Sequence, residues 1–296
     1  MAQEALRTAR LREHIAILAS DIGERNLYRY DRLQAAAGFI EHAWSELGYH
    51  VSRQVYEAKG EAKQLQFANL EIEIPGTNKL EEIVIVGAHY DTHQKSPGAN
   101  DNGSGVAALL ELARAFSGKR LSRTLRFVAF TNEERPFTRT SEMGSRVYAR
   151  RCRERREEIR AMICLETIGY CSEQKGSQRL SFMGLLLPKR GNFIALVGNN
   201  PSKGLLRNVH RLFSLRRDVR CKALTLPTNF PGAWSSDNWS FWKEGYPAVM
   251  VTDTAPLRYP HYHTSKDTPE KLSYDFLTSV VDGLEAVITS LGRSTD

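Results

Sequence analysis

The strongest constraint on this chain is its alternation of short apolar runs with stretches of helical spacing. Ile83 to Val86 is continuously apolar, which suits a strand buried on both faces. Leu125 to Phe130, Ala161 to Leu165, Asn192 to Val197 and Ala248 to Val251 read as further buried strands. Asn69 to Ile74 instead alternates apolar and acidic residues, the pattern of a strand with one wet face, and Pro75-Gly76-Thr77-Asn78 reads as a turn. Gly103 to Phe116, Ser141 to Arg153, Ser202 to Leu215 and Pro269 to Leu291 read as helices. Two more, Leu6 to Ala19 and Arg32 to Leu47, precede the first strand; Ala35, Ala36, Phe39, Ile40, Ala43, Trp44 and Leu47 are expected on one face of the second, and Gly48 ends it. Buried strands alternating with helices imply an α/β three-layer sandwich, with a mostly parallel mixed central sheet and helices on both faces. No internal repeat, low-complexity tract or linker interrupts the 296 residues. One domain over 1–296 is expected, with an N-terminal helical segment at about 1–50 and a catalytic core at about 65–292.

Composition narrows the function classes. The chain is 41% hydrophobic and 25% charged, as in ordinary globular proteins, and has no apolar run of about 18 residues. No membrane association is expected. Met1 to Ser20 is broken by charges, so it does not read as a secretory signal. The expected location is cytoplasmic, the alternative being export with the signal absent from this numbering. Cys152, Cys164, Cys171 and Cys221 form no CxxC pair and read as reduced thiols, although a disulfide between two of them stays open. The net charge is +7, concentrated at Arg146 to Arg160 and Arg207 to Lys222. Glutamates interleave the first stretch as on a solvated helix face, and no recognition motif accompanies either, so nucleic acid is not an expected partner.

The chemistry-bearing residues sit where strands end, the usual place for sites in open α/β sheets. The strand from Ile83 runs into His89-Tyr90-Asp91-Thr92, where a histidine can be held rigidly and Asp91 is near enough to orient its ring. Asp101 lies in the Gly-framed turn before the Gly103 helix; it reads either as a helix cap or as a carboxylate projecting toward His89. The next strand ends in Glu133-Glu134. Adjacent carboxylates repel, so they need a cation or a shared proton. A metal hydrolase uses such a pair well, one acid binding metal and its neighbour taking a proton from water. Glu166 ends the following strand, and a loop beyond the Ala248 strand carries His261 and His263. Histidine nitrogens with carboxylate oxygens suit zinc.

The runs GAHYDTH, GANDNGSG, TNEER, LETIGY, SDNWSFWKEGYPA and YHTSKDTPEKL, in this order from roughly Asn69 to Leu272, resemble the M28 family of metallopeptidases, the co-catalytic di-zinc aminopeptidase group. The resemblance implies two zinc ions: His89 and Glu166 on one, Glu134 and His263 on the other, and Asp101 bridging. It also implies Glu133 as general base and Asp91 as the partner that orients His89. Two departures stand out. Glu166 occupies a position that is often Asp in the family, and Asn238 one where many relatives have His; altered polarity rather than metal loss is expected from the latter.

The implied activity is that of an exopeptidase, an aminopeptidase acting on a peptide or small aminoacyl substrate. A glutaminyl-peptide cyclase, which resembles the same family but uses a single zinc, is the alternative, and the complete acidic and histidine set weighs against it. A binding module without turnover is a third reading, opposed by the Glu133-Glu134 pair. Loops at Phe230 to Trp242 and Ala255 to His263 are the expected pocket walls. Trp234, Trp239, Phe241, Trp242 and Tyr259 are candidates to line them, unless most belong to the core. Nothing in the sequence speaks to substrate side chain or oligomeric state.

Overall fold

A computed structural model describes residues 2–59, 64–179, 188–216, 218–230 and 236–293. In chain order the helices are α1 (Ala2–Ala16), α2 (Tyr30–Ser45), α3 (Gly105–Phe116), α4 (Gly144–Glu154), α5 (Lys203–Ser214), α6 (Asp237–Lys243), α7 (Ala255–Arg258) and α8 (Tyr274–Gly292). The strands are β1 (Ser52–Lys59), β2 (Gln64–Ile74), β3 (Lys79–His89), β4 (Arg123–Phe130), β5 (Glu158–Glu166), β6 (Ile194–Gly198), β7 (Cys221–Thr225) and β8 (Ala248–Thr252). They form one mixed sheet in the order β1-β2-β4-β3-β5-β8-β6-β7. The inner four, β4-β3-β5-β8, are parallel to one another; β2 and β6 flank them antiparallel.

Strand side chains divide between two cores by their period of two. Val84, Val86, Ile163, Leu165, Val249 and Val251 face the α1, α2, α3, α5 and α8 layer. Ile83, Ile85, Met162, Cys164, Ala248 and Met250 face α4 and α6. Each fully buried Val, Leu or Ile contributes roughly 1.5–3 kcal/mol over leaving it exposed. The α/β three-layer reading therefore holds, and its cause is visible: both faces of the central strands are covered. Arg126 interrupts the apolar run of β4, and its guanidinium donates to Glu73 and Glu157, each at 2.7 Å.

Several local expectations change. β1 and β7 were not anticipated; β1 is an edge strand of mostly exposed residues, and β7 is short with four of five residues not buried. The segment expected as a loop up to Trp242 contains α6, and Ala255 to His263 begins with α7. The C-terminal helix is broken, a single turn at Pro269–Lys271 preceding α8. All four cysteines are free thiols, with Cys152 and Cys164 buried. Among the described residues no helix is long and apolar enough to cross a membrane.

Candidate metal centre

Because β4, β3, β5 and β8 run the same way, their C-terminal ends meet along one edge of the sheet. His89 is the last residue of β3 and Glu166 the last of β5. Glu133 and Glu134 follow β4 after Asn132, whose φ of 58° turns the chain. Asp101 lies in the turn before α3, and His263 in the loop after α7. Gly98 opens the Asp101 turn at φ 65°, and a Cβ there would strike the Asp101 carbonyl and the Thr92 side chain, so the position requires glycine.

These side chains form two groups of three, His89–Asp101–Glu166 and Asp101–Glu134–His263. Within each group one donor atom per residue lies within 4.8 Å of the others, and Asp101 belongs to both. His89 Nε2 is 3.5 Å from Asp101 Oδ1 and 3.2 Å from Glu166 Oε2. His263 Nε2 is 3.0 Å from Asp101 Oδ2 and 3.3 Å from Glu134 Oε1. Glu133 Oε2 stands 3.9 Å from His89 Nε2 and enters neither group. The edge encloses a cavity of about 40 Å³ lined by Asp101, Glu133, Glu134, Glu166, Ser236 and Tyr262 among others. The structure thus brings together all seven residues singled out in the sequence. It leaves out His261, whose ring packs edge-on against Tyr259 at 5.5 Å.

Asp101 is not a helix cap. Asn102 takes that task, its Oδ1 accepting from Gly105 N at 3.2 Å. The same Asn102 ties the turn to β5, donating to Leu165 O at 2.8 Å and accepting from Thr167 N at 3.0 Å, so it brackets Glu166. Ser236 Oγ donates to Glu166 Oε2 at 2.5 Å, and Ser236 N donates to Asn238 Oδ1 at 3.0 Å. The fully buried Asn238 therefore acts on the site at one remove, through Ser236.

Two buried aspartates grip the backbone on either side. Asp91 accepts from Glu133 N at 3.1 Å and from Glu134 N at 3.0 Å. The nearer contact to the His89 ring is the Asp91 main-chain carbonyl, 3.1 Å from Nδ1, while its carboxylate stands 3.6 Å away. Asp267 does the same for the other turn, accepting from Asn100 N at 2.8 Å and Asp101 N at 3.1 Å, with the Tyr259 hydroxyl donating to it at 2.8 Å. Asn102, Ser236, Asp267 and Tyr262 were not singled out in the sequence. Asp267 lies four residues after His263, but nothing local marks it as a partner of residues 166 positions earlier.

The aromatic walls also differ from expectation. Phe241 and Trp242 belong to the core beneath α4 and α6, with Trp242 Nε1 donating to Ala248 O at 2.9 Å. Tyr259 is buried, with its hydroxyl donating to Asp267. Trp239 is half-buried beside Arg139, Arg146 and Lys243, and Trp234 lies outside the described residues. The ring at the cavity is Tyr262, stacked on His263 at 3.8 Å; His93 stacks on His263 at 4.0 Å.

Charge explains what such an edge needs. Burial lowers the His89 pKa, but Glu166 and Glu133 outweigh it and carry the ring well above its ordinary value. Burial likewise opposes a proton on His263, yet Asp101 and Glu134 push it up to about 10. Burial, reinforced by Asp101, lifts Glu134 to about 7. Burial also raises Glu133 well above the carboxylate range, aided by Glu166, Glu134 and Asp237 and opposed by His89. His89 Nε2 and Asp101 Oδ2 are buried and make no hydrogen bond of acceptable geometry. Buried polar atoms left this way call for a cation, and two imidazoles among carboxylates fit zinc.

Comparison with known proteins places the chain. The family model for Peptidase family M28 matches residues 69–288. The uncharacterized protein YfbL of Escherichia coli (strain K12) is 34% identical over 294 residues, covering 96% of this chain and 87% of that protein. Probable leucine aminopeptidase 1 of Trichophyton verrucosum is 28% identical over 237 residues, 74% of this chain but only 57% of the fungal protein. The chain thus spans little more than half of that relative. Among solved structures, BSAP, a zinc aminopeptidase from Bacillus subtilis, superposes with a TM-score of 0.72 at 16% identity, covering 97% of this chain and 95% of its own. The glutaminyl cyclase of Macrostomum lignano superposes at 0.76 with 17% identity, covering 99% and 93%. The two superpositions speak to the fold. With the family match spanning β2 to α8 and YfbL aligned along nearly the whole length, the chain belongs to peptidase family M28.

Proposed function

We propose that this chain is a zinc-dependent aminopeptidase that hydrolyses the N-terminal bond of peptides or small aminoacyl substrates. The observation that carries the reading is the sharing of Asp101 between two three-residue donor groups. His89 and Glu166 would hold one zinc ion and Glu134 and His263 the other, with Asp101 reaching both. When bound, the two ions supply Lewis acidity that polarises a scissile carbonyl and makes water easier to deprotonate. Glu133 is the general base. It opens on the same cavity and is not needed in either donor group, which leaves its carboxylate free to take a proton. Asp91 aims it by gripping the Glu133 and Glu134 amides. The buried walls keep bulk water from competing for the proton.

The test is a panel of aminoacyl chromogenic substrates, assayed after treatment with a strong chelator, with and without added zinc. Activity should vanish in the chelator and return with zinc, at about two ions per chain. Full activity after prolonged dialysis against the chelator would sink the reading. Fold likeness to glutaminyl cyclases keeps one competitor in view. Incubation with a glutaminyl peptide separates it: ammonia and a pyroglutamyl product would favour cyclisation. The presence of a second donor group, His89–Asp101–Glu166, beside Asp101–Glu134–His263 favours hydrolysis, since cyclases of this resemblance use a single zinc.

A further inference from the structure

We propose that Arg25 is a positioning residue for the metal centre: its guanidinium ties the end of the His89 strand to the Asp101 turn and so sets the spacing of these two ligands. The inference rests on the metal-site reading above. Arg25 lies between α1 and α2, outside the residues matched by the family model, and is fully buried. Its Nε donates to Tyr90 O at 2.7 Å, the residue directly after His89. Its Nη1 donates to Pro97 O at 2.7 Å and its Nη2 to Gly98 O at 3.1 Å, in the turn that carries Asp101. Nη1 also donates to Leu18 O at 3.1 Å and Gly23 O at 3.2 Å, which anchors the fork to the end of the first helical segment. The backbone adds a reciprocal pair: Arg25 N donates to Thr92 Oγ1 at 3.0 Å, and Thr92 N donates to Arg25 O at 2.9 Å.

All five of these side-chain acceptors are main-chain carbonyls. Burying a cation with no direct counter-ion is expensive. What offsets it here is the acidic edge. Burial pulls the Arg25 pKa down to about 10, while Asp267, Asp91 and Asp101 hold it up, so the group stays a cation at neutral pH. Arg25 is thus a fixed positive charge behind a cluster of carboxylates, and its planar fork spans two chain segments at once. A lysine ammonium has three donors on a flexible stem and cannot reproduce that span. Asp267 grips the same turn by its amides at Asn100 and Asp101, so the Asp101 loop is held from its carbonyl side by Arg25 and from its amide side by Asp267.

The experiment uses the full chain, freed of metal, with zinc titrated in competition against a chromophoric chelator at low temperature. Wild type is compared with Arg25→Lys, Arg25→Gln and Arg126→Gln, and the Tm of each metal-free protein is recorded. Arg126 is a buried, ion-paired arginine within β4 that touches no ligand loop, so its loss should lower Tm and leave zinc affinity unchanged. Both Arg25 variants should bind zinc about 10–100-fold more weakly while folded, the range for partners that orient metal ligands. Lysine should restore only part of the loss. Wild-type zinc affinity in folded Arg25 variants would overturn the proposal and leave Arg25 a purely structural clamp. Failure of both variants to fold at any temperature would overturn it in the same way. If wild type itself binds no zinc, the metal-site reading falls, and this inference with it.

Discussion

His89 and Glu166 are the last residues of two parallel strands that pair directly, whereas Glu134 and His263 lie in loops beyond the sheet. The first pair is held by sheet hydrogen bonds, by Asn102 bracketing Glu166, and by the Asp91 carbonyl on the His89 ring. The second is held by loop geometry. Glu134 hangs from the Asp91 grip on its amide, and His263 sits at φ 58° between the rings of Tyr262 and His93. Exposure divides the two histidines the same way, 0% for the His89 side chain against 30% for His263, while the carboxylates run the other way, 12% for Glu166 against 7% for Glu134. A ligand at a strand end inherits the rigidity of the sheet, while one on a loop depends on side-chain packing that can loosen locally. The strand-end half should therefore be the tighter and the loop half the more exchangeable.

The largest expected effect removes what the halves share. Asp101→Ala should abolish binding of both zinc ions and lower activity by at least the roughly ten-thousand-fold that general-base loss can cost. Metal content of the purified variant checks this, and one ion retained at full affinity would show the halves to be independent. Next comes the acid pair. Glu133→Gln should lose about a hundred-fold to ten-thousand-fold in rate yet keep both ions, because the amide has the shape but takes no proton. Glu134→Gln should lose the loop-side ion as well. The opposite pattern of zinc retention means that the two roles are exchanged.

A smaller effect is expected from breaking the loop half alone. His263→Ala should drop zinc content from about two ions to about one, with most activity lost, while His261→Ala keeps both. Equal damage from the two variants would mean that the loop does not hold His263 as described. The smallest effect is a pH response. His263 is raised from 6.5 to about 10, so a folded protonated ring stabilises the metal-free protein fully below about pH 6.5, and this is lost as pH rises toward 10. Glu134, raised from 4.5 to about 7, acts in the same direction, since its charging is disfavoured in the folded state. The Tm of metal-free protein should fall across this window, while zinc affinity rises as the proton it displaces becomes easier to lose. Zinc affinity independent of pH between 6.5 and 9 would show that no imidazole proton is displaced.

Much of the site was legible because its signals are local. Buried strands that stop at His89, Glu133-Glu134 and Glu166 announce themselves by the change from apolar to ionisable residues. Less was legible where partners are far apart in sequence. Asp101 reads equally as a helix cap until Asn102 is seen to do the capping. Phe241 and Trp242 look like pocket walls until the α6 helix turns them into the core. β1 escaped notice because an edge strand need not show buried alternation, and seven of its eight residues are not fully buried.

The sequence by itself determined the α/β class, the strands that end in chemistry, and the kinds of atom they deliver, because apolar periodicity and residue type are properties of neighbours along the chain. Only the tertiary structure decided that β4, β3, β5 and β8 stand side by side and parallel, which turns four separate strand ends into one edge. It also decided that Asp91, Asp267 and Arg25 would grip the turns between them. The physical reason is that strand pairing and these grips are made by main-chain amides and carbonyls, which every residue carries alike, so their partners are set by the fold and leave no mark in the local sequence.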